Sequence, residues 1–289
     1  FASTGSHPFS LYKDWHISPD KRYQGLIDKT KWISQRMCVF GMHLHLGMLN
    51  GDACIEYQNF FSFFLPHLIA LSASSPFWQG IDTGLAASRP STYESLPTAG
   101  PSYPARNWHE FEVLYGALKR AGAITSLKDL WWDMRPSPEF GTLEIRVCDG
   151  IATLSETLAL SAFIHTLAHW FQDNKSTLNM AVSSWIYREN KWRAMRYGLE
   201  AELVINQSGE TKLLKHNLNE WINKLEPYVK KLNYMHYFDS LKSIITSGNS
   251  ASRQKLIFAR TGSFKEVVRH NVNEFSSKSP LNSNSIALI

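Results

Sequence analysis

Two short segments of alternating polar and apolar residues constrain what this chain can fold into. The first is "CVFGMHLHLGM", residues 38–48, in which His43 and His45 lie at odd-numbered positions and the large apolar residues lie at even-numbered ones. Because successive side chains of a strand point to opposite faces, a strand here has one apolar face and one face with both histidines. The glycines on either side weaken the helical alternative.

The second alternating segment is "WWDMRPSPEFGTLEIRVCDG", residues 131–150. It predicts a strand at "WWDMR" that contains Arg135, a turn at "PSPEFG" and a second strand at "TLEIRVCD". In that second strand Glu144, Arg146 and Cys148 alternate with apolar residues and therefore share the polar face. We interpret the two tryptophans as core residues.

The rest of the chain is mainly helical. Residues 53–75 predict a long buried helix, residues 76–106 a long loop, and the segment from Thr153 onward a series of helices. Strands in the first half and helices in the second indicate an α+β fold. No composition shift divides the chain, so we expect one domain over residues 1–275, followed by a flexible tail over residues 276–289.

Composition limits the classes of partner and compartment. Thirty basic residues against twenty-five acidic ones give a net charge of +5 without basic runs, which does not predict nucleic-acid binding. No apolar stretch reaches the length of a membrane span. Three cysteines without a CxxC pair predict free thiols in a reducing, cytoplasmic setting. Ten Trp, eleven Tyr and sixteen Phe are compatible with a homodimer interface.

The polar faces of the predicted strands raise a functional question. Two histidines on one face need hydrogen-bonding partners, and a metal or phosphate site would satisfy both. Glu144 is an oxygen ligand suited to Mg²⁺, whereas Arg135 and Arg146 suit phosphate or carboxylate. Buried structural histidines and an unrelated cross-strand ion pair explain the pattern equally well. Phosphate-loop, GxGxxG and GxSxG motifs are missing from the sequence.

Several long motifs carry a resemblance to a known family. "GMHLHLGM", "LPHLIALSASSPFWQGIDTGLAASR", "WWDMRPSPEFGTLEIRVCDG", "RAMRYGLEAEL" and "GNSASRQ" resemble the type 2 glutamate–cysteine ligases, or carboxylate–amine ligases, of the glutamine synthetase-like superfamily. The similarity runs from "GSHPF" to "SASRQ". It implies a curved antiparallel sheet with helices packed on its outer face and an active site on the inner face.

The resemblance also implies a chemistry. ATP phosphorylates the γ-carboxylate of glutamate, and an amine such as that of cysteine displaces phosphate from the acyl phosphate. Mg²⁺ or Mn²⁺ bridges the phosphates. The matching positions are His43 and Glu144 for the metal, Arg146 and Arg135 as catalytic contacts to phosphate or the activated carboxylate, and His45, Arg22 and Arg89 for substrate.

One departure from the family pattern leaves alternatives open. Family members begin with a glutamate-rich strand, roughly "GVEEEF", which supplies further metal ligands, and this sequence has no such segment. We therefore expect a sheet without those N-terminal strands. A non-catalytic remnant that binds a nucleotide or a partner is the second interpretation. A metal-dependent hydrolase that uses His43, His45 and Glu144 is the third, although HExxH and HxxE spacings are missing.

Overall fold

The computed structural model of the chain describes residues 1–177 and 183–281, which form helices and short strands. The helices are α1 Lys21–Thr30, α2 Trp32–Gln35, α3 Gly51–Ser72, α4 Arg89–Tyr93, α5 Trp108–Arg120, α6 Leu154–Asn174, α7 Ser184–Tyr197, α8 Leu214–Lys231, α9 Met235–Ser247, α10 Ser250–Thr261 and α11 Phe264–Ser277. The strands are β1 Leu44–Gly47, β2 Phe77–Trp78, β3 Ile81–Asp82, β4 Ala99–Gly100, β5 Trp131–Trp132, β6 Met134–Ser137, β7 Thr142–Ile145, β8 Glu202–Val204 and β9 Thr211–Leu213. The predicted α+β class is confirmed.

The largest sheet joins the two alternating segments. Its strand order is β1–β7–β6, and both pairings are antiparallel. The predicted hairpin is confirmed in β6 and β7, and its turn ends at Gly141, whose φ of +63° is accessible to glycine at little cost. The first predicted strand is wrong at its start, because Trp131 and Trp132 form β5, which pairs in parallel with β4.

The apolar face of this sheet packs against α3, which confirms the predicted buried helix. Leu143, Ile145 and Met134 are fully buried in the same cluster as most of the apolar side chains of α3. The helix begins two residues before the prediction, where the Asn50 side chain accepts a hydrogen bond from the Ala53 N–H at 2.9 Å. Burial of the apolar face leaves the opposite face of the sheet to the polar residues.

The second half of the chain is helical, as predicted. Thr153 caps α6, since its hydroxyl accepts from the Glu156 N–H, and α6 then packs against α3, α8 and α9. In the described part of the chain, no helix combines the length and apolar character needed to cross a membrane. The last helix ends at Ser277, and residues 282–289 of the predicted tail lie outside the described residues.

The prediction of one long loop over residues 76–106 is wrong. This segment contains β2, β3, α4 and β4, and backbone and hydroxyl contacts hold it close to the sheet. The Ser88 hydroxyl donates to the Ser75 carbonyl at 2.6 Å, and the Ser75 hydroxyl accepts from the Arg89 N–H at 3.0 Å. The sequence does not indicate these elements, because each is too short to show a hydrophobic period and turn residues surround it.

Two neighbouring phenylalanines of α3 test the packing. Phe64 is fully buried and contacts the Trp221 ring, whereas Phe63 is 40% exposed. We expect Phe64→Ala to lower the free energy of unfolding by about 4 kcal/mol, because it leaves a cavity in the core. We expect Phe63→Ala, the matched control, to lower it by about 1 kcal/mol or less. Urea unfolding followed by circular dichroism measures both, and equal losses would contradict this core assignment.

Candidate active site

The register of the largest sheet brings the predicted polar residues together. His45 of β1 and Arg135 of β6 both lie opposite Glu144 of the central strand β7. His43 precedes β1 and Arg146 follows β7, so both flank this row. The predicted cross-strand ion pair is present between Arg135 and Glu144, but it is not unrelated to the histidines, because both lie within 3.9 Å of the same carboxylate.

The Glu144 carboxylate is the centre of this cluster, and its side chain is only 6% exposed. Its Oε2 accepts from the Arg135 Nε at 2.7 Å, and its Oε1 accepts from the Arg146 Nη1 at 2.5 Å. The same Oε1 lies 3.2 Å from the His43 Nδ1 and 3.9 Å from the His45 Nε2. Both carboxylate oxygens are thus committed to basic partners.

These contacts shift the pKa values in the cluster. Burial alone would raise the pKa of Glu144, but its hydrogen bonds and the two guanidinium charges hold that pKa well below the ordinary value. The hydrogen bond to Glu144 raises the pKa of His43, yet burial and the charge of Arg146 outweigh it and lower that pKa. Burial, with the charge of Arg135, lowers the pKa of Arg146 to about 10.

Arg135 and His45 are fixed by further bonds behind the carboxylate. The Arg135 Nη1 donates to the Leu127, Lys128 and Leu130 carbonyls at 3.2, 3.0 and 2.9 Å. The His45 Nδ1 lies 2.8 Å from the Thr142 hydroxyl. Arg135 is therefore suited to hold Glu144 in place, while the His45 ring is oriented toward the hairpin.

A cleft of about 780 Å³ opens beside the cluster. His43 and Arg146 reach it, and so does the Arg89 guanidinium. The opposite side is formed by residues 12–18, α1 and the segment that precedes β1. Many of the lining side chains are aromatic or aliphatic, so the cleft combines a positive edge with apolar walls. This combination is typical of sites for small anionic ligands that carry a ring or an alkyl chain.

Arg89 begins α4 and packs tightly against the first alternating segment. Its Nη1 donates to the Val147 and Cys148 carbonyls at 3.1 and 3.0 Å, and its Nη2 donates to the Arg146 carbonyl at 3.1 Å. A Cβ at position 41 would lie 2.1 Å from the Arg89 Nη2. Gly41 is thus required for the close approach of this guanidinium. The guanidinium in turn fixes the backbone carbonyls of residues 146–148.

Arg22 lies apart from the carboxylate cluster. It lines a neighbouring cavity of about 260 Å³, and its Nη2 donates to the Lys128 carbonyl at 2.9 Å. Its guanidinium carbon lies 5.8 Å from the centre of the Trp131 ring, and that of Arg146 lies 5.9 Å from the same ring. Trp131 therefore lies at the edge of the cleft rather than in the core. Neighbouring residues of a strand point to opposite faces, so only one of the two tryptophans can face the core, and that residue is the buried Trp132.

A buried network behind the cleft was not predicted from the sequence. Tyr93 lines the cleft, and its hydroxyl donates to the Asp133 carboxylate. Asp133 also accepts from the Tyr187 hydroxyl at 2.8 Å and from the Lys191 ammonium at 2.5 Å. These contacts attach α7 to the wall of the cleft. The partners are too far apart in sequence for any local pattern to indicate them.

Cys148 corrects another prediction. It lies in the core and not on the polar face, and burial raises the pKa of its thiol to about 12. β7 ends at Ile145, so strand alternation no longer applies at position 148. Burial and a raised pKa are typical of a structural thiol rather than a nucleophile.

Comparison with known proteins identifies the family. Residues 1–270 match the family described as Glutamate-cysteine ligase family 2. A protein of Bdellovibrio bacteriovorus is 40% identical over 269 residues, which cover 92% of this chain and 71% of that protein. One of Thermobifida fusca is 41% identical over 281 residues, which cover 96% and 70%. Both are named "Putative glutamate–cysteine ligase 2".

This chain belongs to glutamate–cysteine ligase family 2. The resemblance stated from the motifs is confirmed, and family membership indicates a ligase. The strands, loops and helices that form the cleft all lie within the matched residues.

The metal implied for glutamate–cysteine ligase family 2 does not fit the described donor set. Both oxygens of Glu144 are taken by guanidinium groups, and Mg²⁺ requires several oxygen ligands in octahedral geometry. Across residues 1–177 and 183–281, no group of three or more His, Cys, Asp or Glu side chains is arranged to hold a metal ion. In the described arrangement, the Glu144 carboxylate accepts from two guanidinium groups and lies 3.2 Å from the His43 Nδ1.

Removal of the Glu144 charge should destabilise the protein. At pH 7 we expect Glu144→Gln to lower the free energy of unfolding by about 3 kcal/mol, because it leaves two partly buried guanidinium groups without their carboxylate. Since the folded-state pKa of Glu144 is depressed, this contribution is present above the ordinary pKa of 4.5 and is lost as the pH falls below it. Urea unfolding between pH 7 and pH 3 measures the difference.

The matched control is Glu139→Gln in the turn of the same hairpin. Glu139 is 60% exposed and pairs with Lys128 at 3.2 Å, so its loss should change stability by less than about 1 kcal/mol. A difference between wild type and Glu144→Gln that stays constant on acidification would contradict the depressed pKa.

Proposed function

We propose that this chain is an ATP-dependent ligase that joins the γ-carboxylate of glutamate to an amine such as that of cysteine. The observation that carries the proposal is the charge at the edge of the cleft. Arg135 and Arg146 share the single carboxylate of Glu144, and Arg89 donates its Nη groups to neutral carbonyls. Excess positive charge beside apolar walls favours a phosphate or carboxylate ligand.

The proposed reaction has two steps. A γ-carboxylate oxygen attacks the terminal phosphorus of ATP, so that an O–P bond forms and ADP leaves. The amine nitrogen then attacks the acyl carbon, the C–N bond forms, the C–O bond to phosphate breaks, and the amine proton passes to solvent. Two anions meet in the first step, and positive charge fixed in advance lowers their repulsion.

The contacts divide the predicted site residues by role. Arg146 and His43 reach the cleft, so we propose that they contact the phosphoryl group or the activated carboxylate. Glu144 and Arg135 are proposed as positioning residues, because they bind each other and hold Arg146. His45, Arg22 and Arg89 are retained as proposed substrate contacts, and of these Arg89 lines the cleft.

The finer features implied by the family belong to the same proposal. They are a glutamine synthetase-like arrangement of the sheet, a cytoplasmic setting for the three free cysteines, and Mg²⁺ or Mn²⁺ as the cation that accompanies ATP. Support for the cation is the family alone, since the described donors do not fit it. The roles proposed for the arginines do not depend on it.

A non-catalytic, nucleotide-binding remnant is the second candidate. The observation that favours it is the full engagement of the Glu144 carboxylate by arginine, which leaves it no free oxygen for a metal. Such a protein would bind ATP in the cleft without turnover. A hydrolase that uses His43, His45 and Glu144 has less support, because it would require the same carboxylate as a metal ligand.

Phosphate release is the direct test of the ligase. We expect release only when ATP, MgCl₂, glutamate and an amine are all present, and we expect Arg146→Ala and His43→Ala to reduce the rate by roughly 100-fold. Each variant removes a donor at the positive edge of the cleft. His109→Ala, at an exposed histidine of α5, is the matched control and should keep the wild-type rate.

The other outcomes decide between the candidates. Wild-type rates in both cleft variants would contradict the site assignment. ATP binding by calorimetry without phosphate release would support the remnant, and hydrolysis of an amide without ATP would support the hydrolase.

A further inference from the structure

Another cavity, of about 520 Å³, lies between the end of β1, the start of α3 and one face of α6. Its lining includes His165 and His169 of α6, which are four residues apart and therefore lie on the same side of that helix. His165 is half-buried and His169 is exposed, so solvent reaches the pair. These histidines belong to neither the cleft nor the reaction proposed above.

The two imidazoles face each other at a distance that suits a shared metal ion. Their Nε2 atoms are 3.2 Å apart and form a hydrogen bond, in which one Nε2–H donates to the other Nε2. Two nitrogens bound to one tetrahedral Zn²⁺ at ordinary bond lengths are roughly 3.3 Å apart. The hydrogen bond thus holds the two nitrogens close to the separation found in a metal chelate, and a bound metal ion would replace the proton between them.

A neighbouring hydroxyl orients one of the rings. The His165 Nδ1 lies 3.1 Å from the Tyr234 hydroxyl of the segment that begins α9. When Nδ1–H donates to that oxygen, the Nε2 of His165 keeps its lone pair for a ligand. Metal-binding histidines ordinarily donate their other N–H to such a partner.

We propose that His165 and His169 form a binding site for a divalent transition-metal ion such as Zn²⁺, Ni²⁺ or Cu²⁺. Imidazole nitrogen favours these ions over Mg²⁺. Nearby donors are engaged, since Gln172 accepts from the Tyr57 hydroxyl and Glu56 pairs with Lys175. Among the described residues no third His, Cys, Asp or Glu completes a metal site, so water molecules fill the remaining positions.

Calorimetric titration of the full chain without a histidine tag tests this site. We expect one equivalent of Ni²⁺ or Zn²⁺ to bind, and Cu²⁺ to bind more tightly. His165→Gln and His169→Gln should each weaken binding by roughly tenfold or more, because the single imidazole that remains cannot chelate the ion. His109→Gln, at an exposed histidine of α5, is the matched control and should bind as wild type.

Three further measurements make the test specific. Tyr234→Phe keeps both ligands but removes the orienting oxygen, and we expect roughly tenfold weaker binding. Electron paramagnetic resonance of the Cu²⁺ complex should show two coupled imidazole nitrogens. Circular dichroism checks that each variant is folded.

The proposal is wrong if the wild-type chain binds none of these ions at millimolar concentration. It is also wrong if His165→Gln and His169→Gln both bind as wild type. Loss of binding in His43→Gln alone would assign the ion to the cleft and overturn the site on α6. None of these readouts depends on ligase turnover, so failure of this site and failure of the proposed ligase are distinguishable.

Discussion

The ion pairs of Glu144 with Arg135 and Arg146 join strand β6, strand β7 and the residue that follows β7. They also offset the repulsion between the two guanidinium groups. Arg135 approaches the carboxylate from strand β6 and Arg146 approaches it from the position just after β7, and the burial of that carboxylate is tolerable only because its oxygens are bonded. The same contacts keep Arg146 at the edge of the cleft and Arg135 against the carbonyls of the 127–130 segment. The geometry of the cleft therefore follows from one buried charge.

The remaining features of the site arrange apolar and positive surface around that charge. α3 supports the sheet from its apolar side, so the polar row faces away from the core. Arg89 and Tyr93 of α4 close one wall, and the Asp133 network attaches that wall to α7. A ligand in the cleft would thus contact elements from widely separated parts of the sequence.

Much of this arrangement could be predicted from the sequence, and physical reasons explain the rest. Polar and apolar residues alternate strictly over His43 and His45 and over Glu144, because one face of each strand packs into the apolar core, so this alternation indicates which residues share the polar face. The convergence of the two segments required strand pairing, which alternation cannot provide, and there the family resemblance supplied the expectation. Alternation stops where β7 ends, so extending it predicts the wrong side for Cys148. The aromatic character of Trp131 favours the core, although its position in the strand puts it on the face opposite to the buried Trp132. Asp133 and its partners depend on long-range contacts that leave no local pattern.

The contact between Gly41 and Arg89 has a consequence for how these proteins can diverge. The guanidinium fills the volume that any larger residue at position 41 would need. A larger residue at position 41 would therefore displace the Arg89 guanidinium from the three carbonyls that it binds, unless position 89 had already become smaller. The two sites form an epistatic pair whose permitted evolutionary paths are set by steric exclusion rather than by charge.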